Sequence, residues 1–101
     1  MSDVDLTQAL VNFDDSVAKD PDGSIITLGG ALKRAILADV DGDGNQVKGD
    51  DKVKRYDLFI KIKLAEKGLI KFEPEETILL NKAVLVFSIF TAGQIRSILK
   101  G

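Results

Sequence analysis

Apolar and polar positions follow two different periods along this chain, and each change of period marks an element. The first 26 residues lack helical periodicity, and Asp20-Pro21-Asp22-Gly23 separates the stretch from Ala9 to Val17 from that between Ser24 and Thr27. Proline presets the φ of a turn and glycine supplies positive φ near its end, so this pattern predicts a β-hairpin with strands over about residues 9–18 and 23–27. Thr27 then has the chemistry of an N-cap, and Leu28, Ala31, Leu32, Ala35 and Ile36 recur at helical spacing with Lys33 and Arg34 on the other face. A first helix over residues 28–38 follows.

A second helix is predicted to begin at Asp50 and Asp51, which can cap it, and to run until Gly68. Its apolar face is expected to be Val53, Tyr56, Ile60 and Leu64, widened by Phe59. The stretch from Ile60 to Leu64 also alternates with period two, but the helical pattern extends upstream through DKVKRYDLF, and Lys, Glu, Ala and Leu favour helix. Residues 69–72 read as a short strand able to join the hairpin. Pro74 at the first helical position, with Glu75 and Glu76 in the positive first turn, opens a third helix that is apolar nearly all round from Ile78 to Phe87. Such a helix is buried in a core or covered by a partner. Thr91 and Gln94 form a capping box for a last helix whose inward stripe is Ile95, Ile98 and Leu99. No internal repeat or low-complexity segment stands out. The whole is an α+β domain spanning residues 1–101: an N-terminal β-hairpin, with residues 69–72 available as a third strand, packed on about four α-helices.

Composition narrows the chemistry. The 45% hydrophobic content argues against disorder. There is no cysteine for a disulfide or thiolate site and no histidine, the commonest general base and metal ligand. Zinc chemistry is therefore not expected. A nucleophile would have to be serine or threonine, and Ser16, Ser24, Ser88 and Ser97 have no signature context, so the chain reads as non-enzymatic. No basic-plus-apolar leader opens the sequence, and its longest apolar-rich run, residues 83–90, is far short of a bilayer span. A soluble protein of a reducing compartment is expected. The net charge of −2 hides an asymmetry: residues 1–50 hold ten acids and four bases, a net −6, while residues 51–101 hold six acids and ten bases, a net +4. Such polarity suits internal complementarity or docking onto a charged partner. Direct nucleic-acid binding is not favoured, because the chain is acidic overall and its aromatics look like core residues.

One stretch implies a definite chemistry. Residues 39–50, DVDGDGNQVKGD, begin as an EF-hand loop does, with Asp39, Asp41, Asp43, Asn45 and Asp50 on ligand positions 1, 3, 5, 7 and 12 and Gly44 at the turning position 6. Calcium, or magnesium, is the implied cofactor. Gln46 stands where an aliphatic residue normally packs on a partner loop, and Asp50 replaces the longer bidentate glutamate. The alternative is an exposed connection whose Asp and Gly form turns and cap helices. The basic residues Lys52, Lys54, Arg55, Lys61 and Lys63, followed by Lys67, are candidates for contact with an acidic partner surface, the alternative being a solvated helix face. Gly29 and Gly30 could admit a phosphate at the first helix's N-terminus. Without a phosphate-loop lysine, close backbone packing against the hairpin is the better reading.

The order VDLTQAL, DGSIITLGGAL, DDKVKRYDL, FEPEETILLNKAV and AGQIRSIL resembles small proteins of about this length encoded by tailed bacteriophages and prophages among their head and tail genes. In that family the connection before KVKRY is a shorter acidic loop, so DVDGDGNQ is a departure. The resemblance implies no catalytic residues and no family-wide calcium role. It implies an accessory of virion morphogenesis, in tail assembly, acting in the host cytoplasm through contacts with a phage structural or assembly protein or with further copies of itself. Two other functions are open: a phage inhibitor of a host defence or host enzyme that uses its acidic half as a mimic, and a single calcium-binding module.

Overall fold

A computed structural model describes residues 3–40, 44–65 and 68–100. The architecture is α+β, as the pattern predicts. Strand β1 (Val4–Asp5) precedes helices α1 (Leu28–Ile36) and α2 (Gly49–Leu64); strand β2 (Leu69–Ile70), α3 (Pro74–Ala83), a 3-10 turn at Val84–Val86 and α4 (Ile89–Lys100) follow. Residues 69–70 do form a strand, but their partner is β1: the pair is antiparallel with Val4 opposite Ile70.

The segment expected to be one hairpin folds into two successive tight turns and a closed ring. Bridges join Val11 to Val17, Lys19 to Ile25 and Ala9 to Thr27. At the centre, the Ala18 N–H donates to Leu10 O (2.9 Å), the Ile26 N–H to Ala18 O (3.0 Å) and the Leu10 N–H to Ile26 O (2.9 Å). These three residues are eight apart, and the period continues around them. VNFDDSVA (11–18) and KDPDGSII (19–26) correspond turn for turn, with positive φ at Asp15 (68°) and Gly23 (89°) and a hydrogen-bonded aspartate before each serine. A two-copy, eight-residue repeat is therefore present where the sequence discloses none. Its copies share backbone conformation more than residue identity, since only turn chemistry and inward side chains are constrained.

The ring turns Leu10, Ala18 and Ile26 toward the core, where Leu10 is 1% exposed. Helix α1 lies at the centre of that core and buries Leu28, Ala31, Leu32, Ala35 and Ile36 against Leu58 and Ile62 of α2, Leu80 and Ala83 of α3, and Val84. Thr27 caps it as expected, its Oγ1 accepting from Gly30 N at 3.1 Å. Two expected caps differ. Lys48 precedes α2, and Asp50 and Asp51 lie in its first turn, where their charge meets the positive end of the helix. Helix α4 already begins at Ile89, ahead of Thr91, with the Ser88 hydroxyl 3.5 Å from Thr91 N. Gln94, freed from capping, fastens α4 to the ring: its amide accepts from Val11 N (2.9 Å) and donates to Val11 O (3.0 Å).

The expected apolar third helix ends at Ala83, tightens into the 3-10 turn and breaks at extended Phe87. Inside α2 the buried face is Arg55, Leu58 and Ile62; of the stripe expected to be inward, Val53 (63%), Tyr56 and Leu64 (84%) are exposed and Ile60 is half-buried, while Phe59 packs against the core as expected. The two stripes lie roughly half a turn apart at 3.6 residues per turn, so periodicity supports both. Leu58 and Ile62 pack in the core with the buried residues of α1, and that tertiary contact decides between them.

Gly29 packs its backbone against β1's continuation, as the glycine pair suggests. Its N–H donates to Leu6 O at 2.9 Å, and a Cβ there would sit 3.1 Å from that oxygen and 3.2 Å from Leu6 Cβ. Gly29→Ala is expected to destabilise by about 1–3 kcal/mol through this overlap. Gly30→Ala, which meets only Thr27 Oγ1 at 3.3 Å, costs clearly less. Denaturant midpoints of the two variants make the comparison; equal losses would refute the close-approach reading.

Candidate functional site

Three regions hold the residues singled out by chemistry. In the loop between α1 and α2, the Val47 N–H donates to Asp39 O at 2.9 Å, Val40 pairs with Gln46, and Gly44 takes φ +84°. Position 6 thus has the turning geometry an EF-hand loop needs, while position 8 pairs inside its own loop. Val47, 5% exposed, pins the loop to the body of the protein. Asp39, Asn45 and Asp50 are exposed, and Asp41 and Asp43 lie outside the described residues. Among the described residues no three carboxylates gather into a metal-binding group.

The basic candidates do not share a face. Arg55 is 2% exposed and lies on the inner side of α2 with Leu58 and Ile62, so it is withdrawn from any solvent-facing patch. Lys61 is engaged: its ammonium donates to Glu76 Oε1 (2.6 Å) and Lys71 O (3.0 Å) and lies 5.7 Å from the Phe72 ring centre. Glu76 Oε1 also accepts from Glu73 N at 2.7 Å. The lysine therefore ties α2 to the start of α3. Lys52 and Lys63 fall along one flank of the outward stripe and Lys54 along another, by the 100° step of a helix; all three are exposed. Lys67 lies outside the described residues. Beside Lys54 and Lys61, a cleft of about 480 Å³ separates α2 from α3. It carries Asp51, Asp57, Glu75 and Glu76 as well as Lys82, so both signs of charge meet there and neither sign of ligand is favoured.

The acidic half is chemically ordered. Asp5, Asp14 and Asp22 each turn an oxygen back onto the residue two places on: Thr7 N and Oγ1 (2.9 and 2.6 Å), Ser16 N and Oγ (3.1 and 2.5 Å), and Ser24 N (2.9 Å). The hydroxyls of Thr7 and Ser16, then their amides, hold Asp5 and Asp14 below the ordinary carboxylate value; for Asp22 the Ser24 amide leads. Asp20 is paired with Arg34, Oδ1 to Nη1 at 3.1 Å.

What pattern reading did not foresee is the amount of apolar surface. Phe13 (85%), Ile78 (70%), Ile89 (94%) and Phe90 (44%) are exposed, besides the α2 stripe. Phe13 and Phe90 flank a second cleft, of about 310 Å³, between the ring and the start of α4. The signal available in sequence was the turn chemistry at 12–16, which bends the expected strand and carries Phe13 outward. No helix among the described residues is long and apolar enough to cross a membrane. Comparison with protein-family models, curated proteins and solved structures finds no match.

Two outcomes test these regions. Because the folded pKa values of Asp5, Asp14 and Asp22 are depressed, their contribution to stability is fully present above the unfolded value. It is lost as pH falls through the folded values. The ring, with Asp14 and Asp22, and the turn after β1, with Asp5, are therefore expected to be insensitive between about pH 5 and 8 and to loosen only below about pH 4. Carboxyl-carbon NMR titration should give midpoints below 3.8; midpoints at or above it would contradict the turn bonds. For the loop, an ion site requires calcium heat in titration calorimetry that Asp39→Ala removes, and no heat at millimolar calcium or magnesium eliminates it.

Proposed function

We propose that this protein acts without catalysis, through protein contacts, as a phage-encoded accessory of virion morphogenesis in tail assembly, within the cytoplasm of the host bacterium. The observation that carries the contact reading is the exposed apolar surface, with Phe13 85% and Ile89 94% accessible. Contiguous exposed apolar surface marks partner contacts, and Phe13 and Phe90 line one and the same cleft. The resemblance to small proteins of the phage head and tail gene region supplies the setting. A second reading, inhibition of a basic host protein by acidic mimicry, draws on the net charge of −6 carried by residues 1–50 and on the exposure of Asp5, Asp14 and Asp22 within them.

Size-exclusion chromatography with light scattering, and pull-down against the phage head and tail proteins, test the proposal. Capture of a virion component is expected. Phe13→Ser and Ile89→Ser should weaken it roughly tenfold while shifting stability by no more than about 0.5 kcal/mol, as surface changes do. A strictly monomeric protein that captures no virion component overturns the assembly role. Binding to a basic host protein that fades with salt would favour mimicry instead.

A further inference from the structure

The ring has edges as well as a centre. Lys19 and Ile25 are flanked by the Asp20 N–H to Ser24 O and Ile26 N–H to Ala18 O bonds (2.8 and 3.0 Å), and Val11 and Val17 by Asn12 N–H to Ser16 O and Ala18 N–H to Leu10 O (2.8 and 2.9 Å). Both are thus non-hydrogen-bonded pairs, whose own N–H and C=O groups point away from one another and out of the ring. At Val11 these groups are taken, because Gln94 presents an amide that accepts from one and donates to the other, as a neighbouring strand's peptide would. Eight residues on, at the equivalent position of the repeat, stands Lys19. Neither Lys19 nor Val17 finds a backbone hydrogen-bond partner among the described residues. Residues 17–19 are consequently an open strand edge with two donors and two acceptors. Side chains of 17 and 19 are exposed.

This edge borders the 310 Å³ cleft, which Leu10, Ala18 and Ile26 of the ring line together with Phe13, Phe87 and Phe90. Its volume lies at the small end of ligand sites, about 300–1,000 Å³, and suits one or two apolar side chains. The charged residues lining it are Lys19 and Arg34, with no carboxylate. Asp20 neutralises Arg34, which leaves the Lys19 ammonium as the unpaired charge among the described residues lining the cleft.

We propose that the edge at residues 17–19 and the cleft beside it form a docking groove for an extended segment of a partner protein, apolar with an acidic residue, which adds to the ring as a strand. The main-chain groups of Val17 and Lys19 supply affinity, the phenylalanine-walled cleft selects an apolar side chain, and Lys19 selects the acid. Strand addition of this kind divides its work between main-chain bonds and alternate side-chain pockets. The inference rests on the protein-contact reading above and gives that partner a chemistry.

A displayed library of random linear peptides, panned on the whole chain, is the test. Recovered peptides are expected to be apolar with an acidic residue, to protect the Val17 and Lys19 amides from hydrogen exchange, and to lose binding when their alternate amides are N-methylated. Lys19→Glu should weaken them roughly tenfold, with recovery when the peptide's acid is replaced by lysine; Phe90→Ser should weaken them similarly. Failure to recover binders, or binders indifferent to both substitutions, overturns the groove. If a virion protein is captured equally by parent and Lys19→Glu/Phe90→Ser chains, the groove is refuted and the contact role stands. If peptides occupy the groove and no virion protein is captured, the groove stands and the assembly role falls. Self-association abolished by Phe90→Ser would make a second copy the occupant and overturn the assignment to a different partner.

Discussion

Three backbone hydrogen bonds, closing a ring through Leu10, Ala18 and Ile26, are the constraint on which the rest of this structure depends. Fixing a segment dominated by turns is entropically expensive, and an isolated hairpin is marginal in water. The ring satisfies the central amide and carbonyl groups of all three residues at once and turns their side chains to one side. That side becomes one face of the core, onto which α1 packs. The chain then enters α1 directly: Thr27 is both the last bridged residue and the helix cap, and Gly29 lets Leu6 approach the first turn. Ring, cap and close approach are consecutive in sequence, so an error in one propagates to the helix on which α2 and α3 pack.

The remaining elements are held to this unit by specific polar contacts as much as by burial. Gln94 grips Val11 from a separation of 83 residues. Lys61 joins Glu76 and Lys71, at 22% exposure for the Glu76 side chain, and so ties α2 to the segment between β2 and α3 and to α3's first turn. With α1 small, central and surrounded, the outer faces of the helices receive no second layer. The apolar residues of α2's outer stripe and of the α3–α4 corner are left at the surface for that geometric reason. It is this surplus, rather than any catalytic cluster, that supports a role in protein contact.

Much of the architecture was legible. Four helices occur in the predicted order, and Thr27 and Pro74 mark the starts of α1 and α3 as local signals place them, while the start of α4 and the end of α3 fall elsewhere than those signals suggest. The turn at 20–23 was legible from local signals too. Legibility failed where two patterns were equally good. Val53, Tyr56, Ile60 and Leu64 form as regular a stripe as Leu58 and Ile62, and Thr91 with Gln94 satisfies the capping-box spacing as well as Ser88 satisfies the cap. The basic run was legible as residues but not as a surface, since Arg55 is buried and Lys61 committed.

Sequence by itself determined the α+β class, the absence of cysteine and histidine chemistry, the segregation of charge, and the order of elements. These depend on composition and on signals within a few residues. Tertiary structure alone decided which stripe of α2 meets α1, that the N-terminal segment closes on itself with an eight-residue period, and that an open edge and an apolar cleft lie side by side. Each of those depends on contacts between residues distant in the chain, whose energies no local pattern encodes.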